Sequence, residues 1–475
     1  MWSAVGDTPT GTYTLPPELS KLGNPLVGIV VTGAVRYTHD DSSNREPLHQ
    51  DESILLGWSS QAMKSFPIII LGGGIVAGYA AKEFVVQGGT KGDLAIVTAE
   101  HVLPYERPPL SKGLLAGKED ASDIQISDAD FYRKLGITLH RSFPVGKVDL
   151  RRHRLHSTSG EVIGFEQLLI ATGSTVRRLH IPGADDPGIF YLRQLRDSQR
   201  IHAQIKRGQR AVVIGSGFIG MEVASVLVSR GVQRTMVFPE DRVWKQLFTP
   251  SVSTFFEAQC SKHGLTYMKN EKVVALTHAN RERQVVLASG KQVPTDFVVA
   301  GIGVTPAVEL FHRTPLDTHD GILVNEFLET NVPGIWAAGD VANYPDRIFH
   351  RRRRVEHWDN AVEQGRVAMR NMMGKLQPFF HVPYFFSDVF DLSYEFWGDT
   401  SGHDQVVYRG HMDDKQLSVW WLKKRTLGAA LIMNRPEEER RYASRWILRR
   451  PRLDPKALQH ARNLKSLDTT FGRQE

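Results

Sequence analysis

Two glycine-spaced turns carry the first chemical signal in this chain. In FPIIILGGGIVAGYAAKEF (66–84), an apolar run at 67–71 reads as a buried parallel strand and an Ala-rich segment as a helix. Between them Gly72, Gly74 and Ala77 fall at the spacing G-x-G-x-x-G/A. Gly72 permits a tight turn, Gly74 carries no side chain to block a pyrophosphate, and Ala77 lets helix and strand pack closely. The helix N–H groups are then left aimed at phosphates. AVVIGSGFIGMEVASVL (211–227) repeats the pattern in full, with Gly215, Gly217 and Gly220. Each copy needs an acid at the end of its next strand, where a carboxylate accepts hydrogen bonds from both ribose hydroxyls. Glu100 follows LAIVT (94–98), after a long turn at GGTKG (88–92), and Glu240 follows TMVFP (235–239). Two complete mononucleotide folds predict two dinucleotides, which in redox enzymes means FAD plus a nicotinamide.

The elements that hold these turns need a sizeable chain. At 475 residues, two or three domains are expected, and 41 % hydrophobic with 23 % charged residues is the balance of a soluble protein. No run of 18 apolar residues exists, so no membrane span is expected. PLVGIVV (25–31) is too short to span, and no basic segment with a small-residue cleavage pattern precedes it. A net charge of +7 reads as solubility rather than a nucleic-acid partner. Cys260 is the single cysteine, so no intramolecular disulfide or Cys-x-x-Cys redox pair can form. Electrons must therefore leave directly from the flavin, and Cys260 reads as an inert thiol. A cytoplasmic compartment is expected, and no metal site is.

In chain order, residues 1–65 lack periodicity and read as a flexible extension. The prolines of PYERPPLSK (104–112) fix an extended loop that places Arg107 and Lys112 as cations for pyrophosphate and flavin. A short helix at 129–135 and strands near 137–139 and 145–148 continue the domain. FEQLLIATGS (165–174) is a strand ending in the small residues Ala171, Thr172 and Gly173, which allow a ligand close to the backbone. FVVA (297–300) and the turn at Gly303 close a second domain. GIWAAGD (334–340) returns the chain to the first, with Gly339 and Asp340 at a strand end against a ribityl chain. The expected fold class is α/β: two Rossmann-like dinucleotide-binding domains, each doubly wound in three layers, plus a C-terminal α+β domain. The first is discontinuous (66–190 and 316–375) and would bind FAD. The second (191–315) would bind NAD(H), and the third (376–475) carries an antiparallel sheet.

Taken together, the double motif, PYERPPLSK, ATG (171–173), GDVA (339–342) and RRVEHW (353–358) resemble the FAD-dependent pyridine nucleotide-disulfide oxidoreductases. The resemblance falls within the branch of ferredoxin reductase, monodehydroascorbate reductase and apoptosis-inducing factor. TMVFPE (235–240), LFT (247–249), FDLS (390–393) and FWGD (396–399) are similar to the ascorbate enzymes. VPYFFSD (382–388), NRP (434–436), RRP (449–451) and LDP (453–455) are similar to the ferredoxin reductases. The resemblance implies that NADH binds in the second domain with its nicotinamide stacked on the isoalloxazine, near Glu222. Glu356 and His357 would lie by the flavin, with the N–H groups of the helix they begin facing the ring's anionic edge. Glu240 favours NADH, because a carboxylate repels a 2′-phosphate, and Arg234 and Arg242 keep NADPH possible. For an ascorbate-type acceptor the candidates are Arg353 or Arg354 together with Tyr384, with Phe386 standing where that family has Tyr. Arg351 to Arg354 read as an exposed loop flanking the acceptor site.

Two functional readings follow. In one, the protein passes hydride from NADH to FAD and then single electrons to an acceptor, either a small organic radical or a ferredoxin/rubredoxin-type protein. In the other, it is a redox-switched binding protein of the apoptosis-inducing-factor type with weak NADH oxidase activity. A monomer or homodimer suits either.

Overall fold

The computed structural model describes residues 63–468; residues 1–62 of the expected extension lie outside the described residues. The first sheet is built on Ser65–Leu71, whose last four residues are buried. It pairs in parallel with Leu94–Val97 on one side and Val162–Ile170 on the other. Thr138–His140 extends the sheet beyond Leu94–Val97, and the late strand Ile335–Ala337 adds to Val162–Ile170. The antiparallel strands Arg154–Ser157 and Val145–Asp149 continue past the other end of Val162–Ile170. Helices Ile75–Val86 and Trp358–Met372 cross so closely that a Cβ on Gly365 would stand 3.0 Å from the Val76 carbonyl. An ion pair from Glu83 to Arg370 (2.7 Å) ties the same two helices.

The second sheet is parallel throughout, in the order Thr266–Met268, Gln233–Val237, Arg210–Ile214, Phe297–Ala300, Ile189–Phe190. It takes in Ile189 and Phe190, just ahead of the start expected at residue 191, because both side chains are buried against this sheet's core. A three-stranded antiparallel layer packs beside it: Val273–Ala279, Glu282–Leu287 and Gln292–Thr295. Ser174–Val176 and Val304–Pro306 form a two-stranded antiparallel ribbon where the chain leaves the first sheet and returns.

The third sheet is antiparallel, in the order Tyr384–Val389, Leu392–Gly398, Thr426–Met433, Gln416–Lys423, Gln405–His411. Its strands alternate between two cores, as the period-two pleat requires. Along Gln416–Lys423, Leu417, Val419 and Trp421 join Trp244, Phe248 and Phe256 beside the second sheet. Trp420 and Leu422 face Tyr442 and Trp446 on helix Glu437–Arg449.

The arginine run differs from its expected loop. Arg351–Arg353 is a strand, antiparallel to Ala342–Asp346, because carboxylates await its side chains. Asp399 receives both Arg351 and Arg353, and Asp346 faces Arg353. Among the described residues, no helix is long and apolar enough to cross a membrane, and no cluster of three or more His, Cys, Asp or Glu could hold a metal ion.

Candidate active site

A cavity of about 990 Å³ opens at the carboxyl ends of the first sheet's strands, where a doubly wound fold takes its ligands. Gly72, Gly74, Glu100, Arg107, Lys112, Ala171, Thr172, Gly173, Gly339 and Asp340 all line it. Glu222, Glu356, His357, Trp358, Asp359 and Phe386 line it as well. Ala77 is fully buried in the first helix, as close helix–strand packing requires.

The two leading glycines differ in what demands them. Gly72 has φ +131°, and a Cβ there would meet the Ala171 carbonyl oxygen at 2.1 Å. A Cβ on Gly74 would meet only Arg107 Nη2, at 3.7 Å. Space, not packing, lies over Gly74. Helix Ile75–Val86 begins at Gly74 with no side-chain cap and no acid in its first turn, which leaves its N–H groups free for an anion. This geometry fits the pyrophosphate of FAD, and the cavity is at the upper end of the roughly 300–1,000 Å³ typical of ligand sites.

Glu100 is oriented from two sides. Its Oε1 accepts from Arg107 and its Oε2 from the Tyr105 hydroxyl, both at 2.8 Å. Each oxygen keeps a lone pair for a ribose hydroxyl. Asp340 Oδ2 accepts from the Ser174 hydroxyl (2.7 Å) and Arg193 (3.1 Å), while Thr172 donates to the Ala307 carbonyl at 2.9 Å.

Glu222 lies where the helix after the second glycine turn meets the turn that carries Ser111 and the third-sheet strand that carries Ser387. It is buried on helix Phe218–Ser229 and accepts from the hydroxyls of Ser111 and, at 2.6 Å, Ser387. Lys112 Nζ sits 3.6 Å from Glu222 and 3.1 Å from Asp388. Burial pushes the Glu222 carboxyl above its ordinary range, against the pull of Lys112 and the two hydroxyls.

His357 precedes helix Trp358–Met372 as its N-cap and packs 4.8 Å from the Phe385 ring. Burial, reinforced by Arg353, brings its imidazole down to about 4, so the ring is neutral near pH 7. Its Nδ1 is buried with no protein partner, an open valence in the cavity wall.

The second glycine turn adjoins this cavity without lining it: Gly215, Gly217, Gly220, Glu240 and Gly303 are outside, while Phe218 and Ile219, directly after Gly217, line it. Gly215 (φ +114°) and Gly220 pack against the backbone, with Cβ positions 2.2 Å from the Gly301 oxygen and 2.6 Å from the Gly215 oxygen. A Cβ on Gly217 would meet nothing, and helix Phe218–Ser229 begins there without a side-chain cap. The contrast between Gly72 and Gly74 is thus repeated. Ser216 donates to Glu240 at 3.1 Å. The two arginines expected nearby are engaged elsewhere: Arg242 holds Asp241, and Arg234 holds the carbonyls of Val232 and His263. Gly303 (φ +97°) ends at the inter-sheet ribbon, beside Arg177.

The expected acceptor pair is not presented to the cavity. Arg354 is nearly buried, bonded to Asp320 (3.0 Å), the Asp340 carbonyl (2.9 Å) and Glu356 (2.7 Å). Tyr384 donates to Glu395 at 2.9 Å and faces a separate hollow. Both are consumed by partners within the fold, Arg354 by three and Tyr384 by one. Phe386 and Lys112 stand at the cavity instead, with Lys112 Nζ 4.9 Å from the Phe386 ring centre. Sequence reasoning missed Tyr105, Ser111, Ser174 and Ser387, all inside stretches it had singled out, and Arg193, which no motif marks.

Comparison with known proteins agrees with this architecture. Residues 66–365 match the model of the pyridine nucleotide-disulphide oxidoreductases, and residues 384–467 match that of the reductase C-terminal domain. The chain belongs to the pyridine nucleotide-disulphide oxidoreductase family. It is an FAD-dependent NAD(P)H oxidoreductase. The seedling isozyme of monodehydroascorbate reductase from Cucumis sativus is 36 % identical over 416 residues, covering 80 % of this chain and 94 % of its own. The monodehydroascorbate reductase of Solanum lycopersicum is 35 % identical over 409 residues, with 80 % and 94 % covered. Among solved structures, a ferredoxin reductase from Rhodopseudomonas palustris superposes with a TM-score of 0.80 at 30 % identity, over 85 % of this chain and 99 % of that one. The covalent putidaredoxin reductase–putidaredoxin complex gives 0.79 at 28 % identity, with 84 % and 96 % covered.

Proposed function

We propose that this oxidoreductase holds FAD in the large cavity, takes hydride from NADH bound at the second glycine turn, and delivers single electrons to a ferredoxin-type protein. The observation that carries the reading is the pair of uncapped helix N-termini on glycine turns, one of which opens onto the cavity that Glu222 joins from the second sheet. Bound FAD would supply the chemistry that joins a two-electron donor to a one-electron acceptor. The protein's part is to bind and orient. The free lone pairs of Glu100 take the adenosine ribose, the first helix N-terminus and Arg107 face the pyrophosphate, and Asp340 faces the ribityl hydroxyls. The N-terminus of helix Trp358–Met372, with neutral His357 at its cap, offers positive dipole to the anionic edge of a reduced ring. Glu222 and Lys112 orient the nicotinamide amide at the edge of the third sheet.

NADH is preferred because Glu240 stands at the ribose position while Arg234 and Arg242 are bound to other partners. Glu240→Gln is expected to narrow the NADH-to-NADPH ratio of kcat/KM by about tenfold. A ratio already favouring NADPH in the unaltered protein would contradict the assignment.

A protein acceptor is supported by the cavity mouth. Lys112, the cation against Phe386, is held by two carboxylates, and Arg353 and Arg354 are bound inside the fold. An anionic radical finds no free cation among these three. Monodehydroascorbate remains the second reading, because relatives of that name share 34–38 % identity with this chain. Mixing the NADH-reduced protein with each acceptor separates the two. Rapid reoxidation by ferredoxin alone supports the first reading, and rapid reoxidation by the ascorbate radical alone overturns it.

A further inference from the structure

Along the strand Tyr384–Val389 one face carries Phe385, Ser387 and Val389, and the first and last of these pack in the apolar core beside the second sheet. Ser387 interrupts the row. It is 1 % exposed and stands opposite buried Tyr394 on the paired strand, where an apolar side chain would pack without the cost of burying a hydroxyl. That hydroxyl donates to Glu222 Oε1 at 2.6 Å. Ser111, on the turn Pro108–Ser111, donates to the other oxygen, Oε2. Ser111 and Glu222 line the cavity, whereas Ser387 stands behind Glu222 and outside the wall. One helical turn further on, Ser225 accepts from the Phe390 amide at 3.0 Å, a second tie between the same helix and strand.

Few charges act on Glu222. Lys112 Nζ faces it at 3.6 Å and is shared with Asp388, and the Tyr394 hydroxyl is buried close by. Helix Phe218–Ser229 carries no other ionisable side chain. On the strands packed against that helix, Arg210 is bound to Glu282 and Asp296, and Arg234 to the carbonyls of Val232 and His263. Elsewhere in the cavity wall Glu356 is bound to Arg354 and Asp359 to His381, while His357 takes up a proton only at about pH 4. Burial opposes ionisation of Glu222, and Lys112 and the two hydroxyls act against burial.

We propose that Ser387 and Ser111 are positioning residues for NADH oxidation, which act by holding Glu222 as the carboxylate that accepts from the nicotinamide amide, so that the third domain takes part in flavin reduction. This rests on the NADH-oxidising reading of the main cavity. Protonated Glu222 presents a donor towards the amide N–H groups, and the nucleotide loses that bond. A buried carboxylate that loses a hydroxyl donor is protonated at a pH about one unit higher. The serine on the third sheet thus sets the acidity at which the nicotinamide site fails, although it touches neither nucleotide nor flavin.

The test is the pH profile, from about pH 5 to 9, of flavin bleaching by limiting NADH in the FAD-loaded protein. The rate should fall on the acid side, and Glu222→Gln should remove that limb. Ser387→Ala and Ser111→Ala should each move the limb to higher pH by about one unit, which reads as a roughly tenfold slower rate on its acid side. Ser387→Thr, which keeps a hydroxyl, should bring the limb back. Ser225→Ala removes the neighbouring tie between helix and strand but no bond to Glu222, and should leave the limb in place. Bleaching with no acid limb in the unaltered protein, or with a limb that neither alanine variant moves, would overturn the assignment. A shift as large in Ser387→Thr or Ser225→Ala would overturn it in favour of packing. Absence of bleaching in the unaltered protein would instead sink the reading of the main cavity.

Discussion

Gly72 and Gly74 are glycines for different reasons, and the difference can be measured. At Gly72 any Cβ is driven into the Ala171 carbonyl at a φ that side chains avoid, so Gly72→Ala should cost about 1–3 kcal/mol in urea unfolding. At Gly74 the Cβ has room, so Gly74→Val should leave unfolding unchanged and lower bound FAD per chain about tenfold. Equal stability losses in both variants would contradict the distinction. His357 makes a pH-dependent prediction. Its folded value of about 4 lies below the ordinary 6.5, so its contribution to stability is fully present above pH 6.5 and is lost as pH falls through 4. That contribution is about 3 kcal/mol across the window, and denaturation of His357→Phe between pH 7 and 4 should show an acid limb shallower by that amount. An unchanged limb would mean the imidazole charges freely in the fold. At this scale the sequence was legible where a residue type is forced by backbone geometry, as at Gly72. It was not legible for Arg193, whose bond to Asp340 spans 147 residues.

Among the elements, the third sheet shows how far a pattern carries. The alternation of Leu417, Val419 and Trp421 with Trp420 and Leu422 is enough by itself to mark a strand lying between two cores. The strand Arg351–Arg353 was hidden because a run of like charge reads as solvated, and the carboxylate that neutralises it, Asp399, lies 46 residues beyond Arg353. Helix Glu437–Arg449 is fixed to the sheet through a buried pair of the same kind. Arg409 reaches Glu439 Oε1 at 3.2 Å and also holds the carbonyls of Leu458 and Ala461, which secures the following helix Pro455–His460. Removing Arg409 leaves Glu439 with Arg435 (2.7 Å) but strips the carbonyls of Leu458 and Ala461 of their buried donor, so Arg409→Leu should destabilise the protein by about 1–3 kcal/mol in denaturant unfolding. A loss under about 1 kcal/mol would show those carbonyls to be solvated after all.

Across the whole molecule, electrons have one route consistent with the chain's composition. Cys260 is buried and its thiol is pushed up to about 12 by that burial, so no thiolate is available to relay them. On the proposed reading transfer is direct, from the space closed by Ser111 on a turn, Glu222 on a helix and Ser387 on a strand of the third sheet. That closure was the least legible feature of the sequence, because its hydrogen bonds join residues 111 and 165 positions apart and leave no local periodicity. The central claim, that the cavity and the second glycine turn together pass hydride from NADH to FAD, is tested most directly by anaerobic stopped-flow mixing of the FAD-loaded protein with NADH. The account predicts that the flavin's visible absorption is bleached in a single turnover and that Gly217→Val, which fills the open space over the second turn, slows the bleaching at limiting NADH while FAD remains bound. Persistence of the oxidised spectrum in the unaltered protein under excess NADH would contradict it.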